Sequence, residues 1–385
     1  MPVQRQKHQR YSFFDAFCGA GGATSGAVQA NLFPRFALDN CKAACDSYQA
    51  NFGSASLFRR EVSHFVLGKH EFRADILHLS PPCQAFSPAN TTPNQRKNEE
   101  NTATLYSCGA LIDKVKPRVF TVEETFGIYR KAHREHLNRA LFQDSTSLGY
   151  SVRVGVVNLA KWGLPQERKR LIMIGAGPGE KLPPLPKNTH WLPGKPREPG
   201  TRQFVSAEAA LEQVPVDADR HNFKDVTTYE PPRPTWEEDK LCPRSITTGG
   251  GDNYFWRGHR SLTLRELATL QGFPINHKFV APGVMKQIGN AFPPIAAKHL
   301  FETIEKFLLK EDNIIIDNED DVVMIDVQPV PAQPAPTPPE AHSIAGNNMD
   351  MDTGGDDDSA IEIWSTRAAP VGDTNIANSG RMVMA

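Results

Sequence analysis

Four stretches of the chain hold residues whose types and spacing suit chemistry, and each lies where an apolar run ends. In ADILHLSPPCQAFSPAN, residues 74–90, a strand-like run stops at Pro81-Pro82 and Cys83 follows. Two prolines fix the backbone and carry no N–H, so a thiol placed after them is held in one conformation, as a nucleophile should be. A lone cysteine is also a common core filler, so Cys83 needs its neighbours to be read as reactive. In RVFTVEE the run ends in Glu123 and Glu124. Adjacent carboxylates at a strand end can stand in solvent, or one of them can give a proton to a heterocycle once burial raises its pKa. In QERKRLIMIGAG, Arg168 and Arg170 alternate on the approach to a strand and can share a face. Two guanidiniums there suit a phosphate or a carboxylate, and an exposed basic lead-in is the plain alternative. In FDAFCGAGGATSG, Gly19, Gly21 and Gly22 allow a sharp turn and close approach of the backbone to a ligand, with helix-start amides pointing at it. Asp39 ends the next strand-like run, 17 residues after Gly22, where a carboxylate can take two ribose hydroxyls; a tight turn and nothing more is the alternative.

The elements that must position these residues alternate between strand and helix. YSFFDAF, FPRFALD, ADILHLS, RVFTVEE, SVRVGVVNL and RLIMIGA read as strands, while GATSGAVQANL, DSYQANF and TATLYSCGALIDKVK read as helices. That alternation predicts a doubly wound α/β domain with a parallel sheet, covering 11–176. Residues 177–259 turn Pro-rich and irregular and read as an inserted region. LTLRELATLQGF and AAKHLFETIEKFLLK restore helical spacing in 260–310. Residues 1–10 and 311–385 read as a frayed start and a disordered tail.

Charge divides along the same lines. From Glu311 onward there are 15 acidic residues against two Arg, a net of −13, which leaves +12 on residues 1–310. A basic body suits a polyanion such as nucleic acid, although ordinary solubility accounts for charge as well. The six Cys form no CxxC pair, which argues against a structural metal site and a disulfide scaffold. No apolar run approaches the roughly 18 residues of a membrane span, and no apolar segment follows the first charges, so an intracellular protein is expected.

The order glycine loop, Pro-Pro-Cys, strand-end Glu and paired Arg, followed by RSLTLRELATLQGFP at 260–274 and KQIGNAFPPIAA at 286–297, resembles the DNA (cytosine-5) methyltransferases. The resemblance runs from Phe14 to about Leu308. It implies a Rossmann-like core binding S-adenosylmethionine through Phe17, Gly19, Gly21, Gly22, Asp39, Glu61, Pro82, Leu105 and Asn290. It also implies Cys83 as the nucleophile on carbon 6 of a flipped-out cytosine, Glu123 on ring nitrogen 3, and Arg168 and Arg170 holding the base. DNA as partner and a nuclear location follow from the same resemblance. An RNA cytosine-5 methyltransferase and an inactive regulatory homologue are the alternatives.

Three departures from the family pattern stand out. Glu123-Glu124-Thr125 replaces the usual Glu-Asn-Val, which resembles the fungal methyltransferases linked to repeat-induced mutation and premeiotic silencing. No chromatin-reading or zinc domain precedes the core, so targeting falls to the tail or to partners. There Val322, Val323 and Ile325, flanked by acids, resemble a SUMO-interacting motif, with a sticky linker as the alternative. Within 177–242, nine basic and 11 acidic residues leave the reader without the body's positive excess, and Trp191, Tyr229 and Trp236 are its candidate base contacts or loop pins.

Overall fold

The structure is a computed structural model that describes residues 10–82, 86, 95–280, 282–317, 321–324, 364–366 and 383–384. Cys83 and Ile325 lie outside the described residues. The chain opens with β1 (Ser12–Ala16), α1 (Gly22–Gln29), β2 (Phe33–Asp39), α2 (Lys42–Asn51), β3 (Ser56–Arg59), α3 (Val62–Leu67) and β4 (Ile76–Leu79). It continues through α4 (Gln95–Leu105), α5 (Ser107–Val115), β5 (Val119–Thr125), the short helices α6 (Arg134–Leu137) and α7 (Asp144–Ser147), β6 (Ser151–Asn158) and β7 (Lys169–Ala176). These strands form one sheet in the order β3-β2-β1-β4-β5-β7-β6.

Both faces of the sheet are covered, which is why its central strands are buried at nearly every position. In β1, Phe13 joins the cluster formed with α1 and the last long helix, while Phe14 joins the cluster under α5. All seven residues of β5 are buried, Glu123 and Glu124 included. Strand order reverses between β1 and β4, and in open sheets of this kind ligands bind at the carboxyl ends beside that switch point. The glycine loop leaves β1 there, and Ser80-Pro81-Pro82 leaves β4.

The sheet departs from the wholly parallel expectation at β7, which runs antiparallel to both β5 and β6. Only residues 159–168 join β6 to β7, too few for a crossover helix, so the chain must return alongside its neighbour.

Beyond the sheet, β8 (His190–Trp191) pairs with β9 (Arg202–Gln203), followed by α8 (Ala207–Leu211), α9 (Leu264–Leu270) and α10 (Val284–Asn290). Leu211, Ile246, Leu267, Leu270, Phe273 and Ile288 share a second core there, so α9 and α10 pack with α8 across the boundary expected at 259/260. Thr263 caps α9 through a capping box with Glu266. The long helix α11 (Pro294–Glu311) then returns to the sheet with Ala297, Leu300, Phe301, Ile304 and Leu308 on its buried stripe. Arg118 closes that end, donating to Asp312 at 2.7 and 2.8 Å and to Glu180 at 2.6 and 3.0 Å.

Four short strands are described within 311–385. β10 (Ile314–Asp317) pairs antiparallel with β11 (Asp321–Met324), which carries Val322 and Val323, and β12 (Trp364–Thr366) adds to the free edge of β6, with β13 (Val383–Met384) beside it. Two β-branched runs separated by a short polar link have each other as nearest partners, so they form a hairpin.

Candidate active site

At the switch point a cavity of about 450 Å³ is lined by the glycine loop, the ends of β2 and β3, the start of α2, the exit of β4, helix α4, Glu123 of β5 and the segment 282–292. Gly21 sets the loop's turn. It caps α1 at φ +89°, and a Cβ there would lie 2.3 Å from the Phe52 ring, so a side chain is excluded on both counts. It turns the loop without lining the cavity, whereas Gly19 and Gly22 do line it. Phe17 also faces the cavity, in a left-handed conformation at φ +63° uncommon outside glycine.

Asp39 ties the loop to β2. Its two carboxylate oxygens accept from the amides of Gly19 and Cys41, each at 2.8 Å, leaving a lone pair on each for a ligand. Glu61 stands beside it and accepts from Asn40 at 2.9 Å. Asp15, which the sequence reading passed over, forms part of the cavity wall. Thr24 donates to it from both amide and hydroxyl, yet burial pushes its carboxyl up to about 7. Burial also raises Asp39, against the hydrogen bonds that lower it.

The cavity's far side holds the residues expected to do the chemistry. Pro81 and Pro82 from β4 and Glu123 from β5 line it, and Arg170 Nε lies 2.6 Å from Glu123 Oε1 with both side chains largely buried. Asn290, at the end of α10, closes the rim with Lys286 and Gln287.

Leu105 and Arg168 stand outside the cavity lining, as Gly21 and Arg170 do. Leu105 is fully buried in the core against Cys108 and Leu111, and it is Asn101, one turn earlier, and Thr104 that meet the cavity. Arg168 does not line the cavity either. Its guanidinium donates to the carbonyls of Ile246 at 2.8 Å and Gly289 at 3.1 Å, joining the approach to β7 with the second core. Gln166 does the same beside it, donating to Leu270 and accepting from Ile246 N–H. A long donor at the base of a strand reaches whatever carbonyls the packed neighbour presents, which spacing along the chain cannot reveal.

Within 177–259 the aromatic candidates pack against neighbouring loops. Trp191 meets Phe204 edge-on, Trp236 donates to the Tyr254 carbonyl at 3.2 Å, and Arg233 lies over both Tyr229 and Tyr254 while paired to Asp252.

A family model for C-5 cytosine-specific DNA methylases matches residues 11–225 and 206–306. The chain belongs to that family. It is 25% identical over 335 residues to the type II methyltransferase M1.HphI of Haemophilus parahaemolyticus, covering 78% of this chain and 88% of that one. It is 26% identical over 191 residues to rat (Rattus norvegicus) DNA (cytosine-5)-methyltransferase 1, covering 46% of this chain and 12% of that one. In fold it resembles the S. pombe Dnmt2 methyltransferase, with a TM-score of 0.52, 15% identity, and coverage of 79% and 99%.

A cytosine-5 methyltransferase takes its methyl group from S-adenosylmethionine, a nucleoside carrying a sulfonium, an ammonium and a carboxylate. The cavity fits that donor. Three of its lining residues keep buried polar atoms without a hydrogen-bond partner, Asp15 Oδ1, Asn101 Nδ2 and Gln287 Oε1, which a polar ligand would satisfy. Asp15, Asp39 and Glu61 make its wall suit a cation, and Arg60 and Lys286 at the mouth suit a carboxylate. Among the described residues no group of His, Cys, Asp and Glu could hold a metal, and no helix is long and apolar enough to cross a membrane.

Glu124 sits beside Glu123 in sequence. It is fully buried, with Oε2 accepting from the Thr125 amide at 2.9 Å and Oε1 without a hydrogen bond. Burial, with the like charge of Glu123 second, pushes its carboxyl well above the ordinary range. The folded protein therefore keeps a proton that the unfolded chain releases above about pH 4.5, so this residue's effect on stability worsens as pH rises from there toward the folded pKa. Glu124→Gln should leave thermal stability close to wild type at pH 4 and exceed it at pH 8, by on the order of 1–3 kcal/mol. Parallel melting-temperature curves for the two proteins between those pH values would show that Glu124 ionises freely in the fold.

Proposed function

We propose that this DNA (cytosine-5) methyltransferase works through Cys83 as nucleophile, Glu123 as proton donor and Arg170 as the partner that holds Glu123. The observation supporting this is that Glu123 and Pro82, from adjacent strands, line one cavity with Asp39 and the glycine loop, and Cys83 follows Pro82 by one peptide bond. Carbon 5 of cytosine is too weak a nucleophile to be alkylated directly. A bond from the Cys83 thiolate to carbon 6, with a proton passing from Glu123 to ring nitrogen 3, turns carbon 5 into the nucleophilic end of an enamine. S-adenosylmethionine, when bound, supplies the methyl group that carbon 5 acquires. Loss of the carbon 5 proton to a base, with return of the nitrogen 3 proton to Glu123, re-forms the ring double bond and expels the Cys83 thiolate. A base stacked in a duplex is out of reach of these side chains, so the cytosine must be flipped out.

Asp39, Glu61, Phe17, Gly19, Gly22, Pro82 and Asn290 hold the cofactor in this reading, with Asn101, Thr104 and Asp15 in place of Leu105. The Glu124-Thr125 pair supports the fungal silencing type, and a nuclear location follows from its substrate. A SUMO partner of the tail would meet β11 on the edge away from β10. Transfer of tritiated methyl groups to duplex DNA, with structured RNA as the competing acceptor, tests the substrate. DNA should be labelled; labelling of RNA alone would overturn the reading.

A further inference from the structure

The chain leaves β4 for the nucleophile through Ser80, Pro81 and Pro82. Neither proline has an N–H, so for two residues before Cys83 the backbone can donate no hydrogen bond to the body of the protein. Among the described residues, Ser80 anchors the start of this segment twice. Its amide donates to the Ala16 carbonyl at 3.2 Å, extending the β1–β4 ladder by one residue, and its hydroxyl lies 2.6 Å from His78 Nε2.

His78 is itself fixed on every side. It is fully buried on β4, its Nδ1 lies 2.8 Å from Thr121 Oγ1 on β5, and its ring is stacked on Phe292 at 5.5 Å with Phe301 edge-on at 5.5 Å. Burial pushes its pKa down to about 3, so it stays neutral, with one nitrogen donating and the other accepting. The two hydroxyls must therefore play opposite parts, one giving and one receiving, and the chain Thr121–His78–Ser80 has a defined direction. Phe292 and Ser80 both line the cofactor cavity, so the imidazole touches the cofactor's enclosure on one side and the root of the nucleophile segment on the other.

We propose that His78 and Ser80 are positioning residues that fix the direction in which the Pro81-Pro82-Cys83 segment leaves the sheet. The proposal rests on Cys83 being the nucleophile. The test is Ser80→Ala, which removes one hydroxyl from a half-buried site, with Ser80→Thr as the conservative rescue. Both are compared with wild type in covalent trapping on duplex DNA containing 5-fluorocytosine, in S-adenosylmethionine affinity by calorimetry, and in melting temperature. Ser80→Ala should trap at least 10-fold more slowly with cofactor affinity within twofold of wild type and an unchanged melting temperature, and Ser80→Thr should recover most of the rate. His78→Gln combined with Ser80→Ala should be no slower than Ser80→Ala alone, because the two act through one hydrogen bond. Trapping of Ser80→Ala at the wild-type rate would overturn the proposal, as would cofactor affinity falling in step with the rate, which would make Ser80 a ligand of the cofactor. Failure of wild type itself to trap would instead refute Cys83 chemistry.

Discussion

Glu123→Gln is expected to slow methyl transfer by roughly 10²- to 10⁴-fold, the usual worth of a positioned general acid, with S-adenosylmethionine affinity within a few-fold of wild type. Gln keeps the volume of Glu and an oxygen facing Arg170, so the strand, the cavity wall and the contact from Arg170 persist. What it loses is a proton that can be given to ring nitrogen 3 and taken back. Single-turnover kinetics with saturating cofactor read the chemical step alone. A variant with the full rate would assign the proton to another donor, and a variant that no longer binds cofactor would make Glu123 a part of the cavity only.

Arg168→Met should act on stability first. The residue is 5% exposed, and its hydrogen bonds to the carbonyls of Ile246 and Gly289 join the base of β7 to the second core. Met fills a similar volume but leaves both carbonyls without that donor, at a cost of about 2–4 kcal/mol in denaturant unfolding. Gly289 makes relaxation difficult, because a Cβ there would already stand 2.3 Å from the Thr247 carbonyl and the backbones are packed in contact. If Arg168 instead held the target base, the same change would leave unfolding untouched and weaken turnover, so the two measurements together decide its role.

Much of the sheet was legible because its strands are short apolar runs closed by chemically loaded residues. β1, β2, β4, β5, β6 and β7 lie where the alternation put them, and the glycine loop, Asp39, Glu61, Pro82, Glu123 and Asn290 converge on one cavity. The direction of β7 was hidden because it depends on the length of its connection and on which neighbour the strand meets, not on its residues. β3, with only SLFR, gave too short a run to separate from a loop. Leu105 is a different case. It follows from the family resemblance and not from helical phase, and helix α4, QRKNEENTATL, is polar nearly all round, so its own pattern does not show which residues face the cavity. Arg168 shows a third kind of limit, since its carbonyl partners lie 78 and 121 residues further along the chain. Asp15 had a signal, an acidic residue inside an otherwise apolar strand, and a buried carboxylate of that kind calls for a partner or a ligand.

The central claim is that Cys83 forms a covalent bond to the target base, and trapping on duplex DNA containing 5-fluorocytosine tests it most directly. Fluorine replaces the carbon 5 proton whose loss frees the enzyme, so the adduct persists after methyl transfer. Wild type with S-adenosylmethionine should give a denaturation-resistant protein–DNA complex that disappears in Cys83→Ser and without cofactor. A wild-type preparation that binds S-adenosylmethionine yet forms no complex, or a complex that survives in Cys83→Ser, would contradict it.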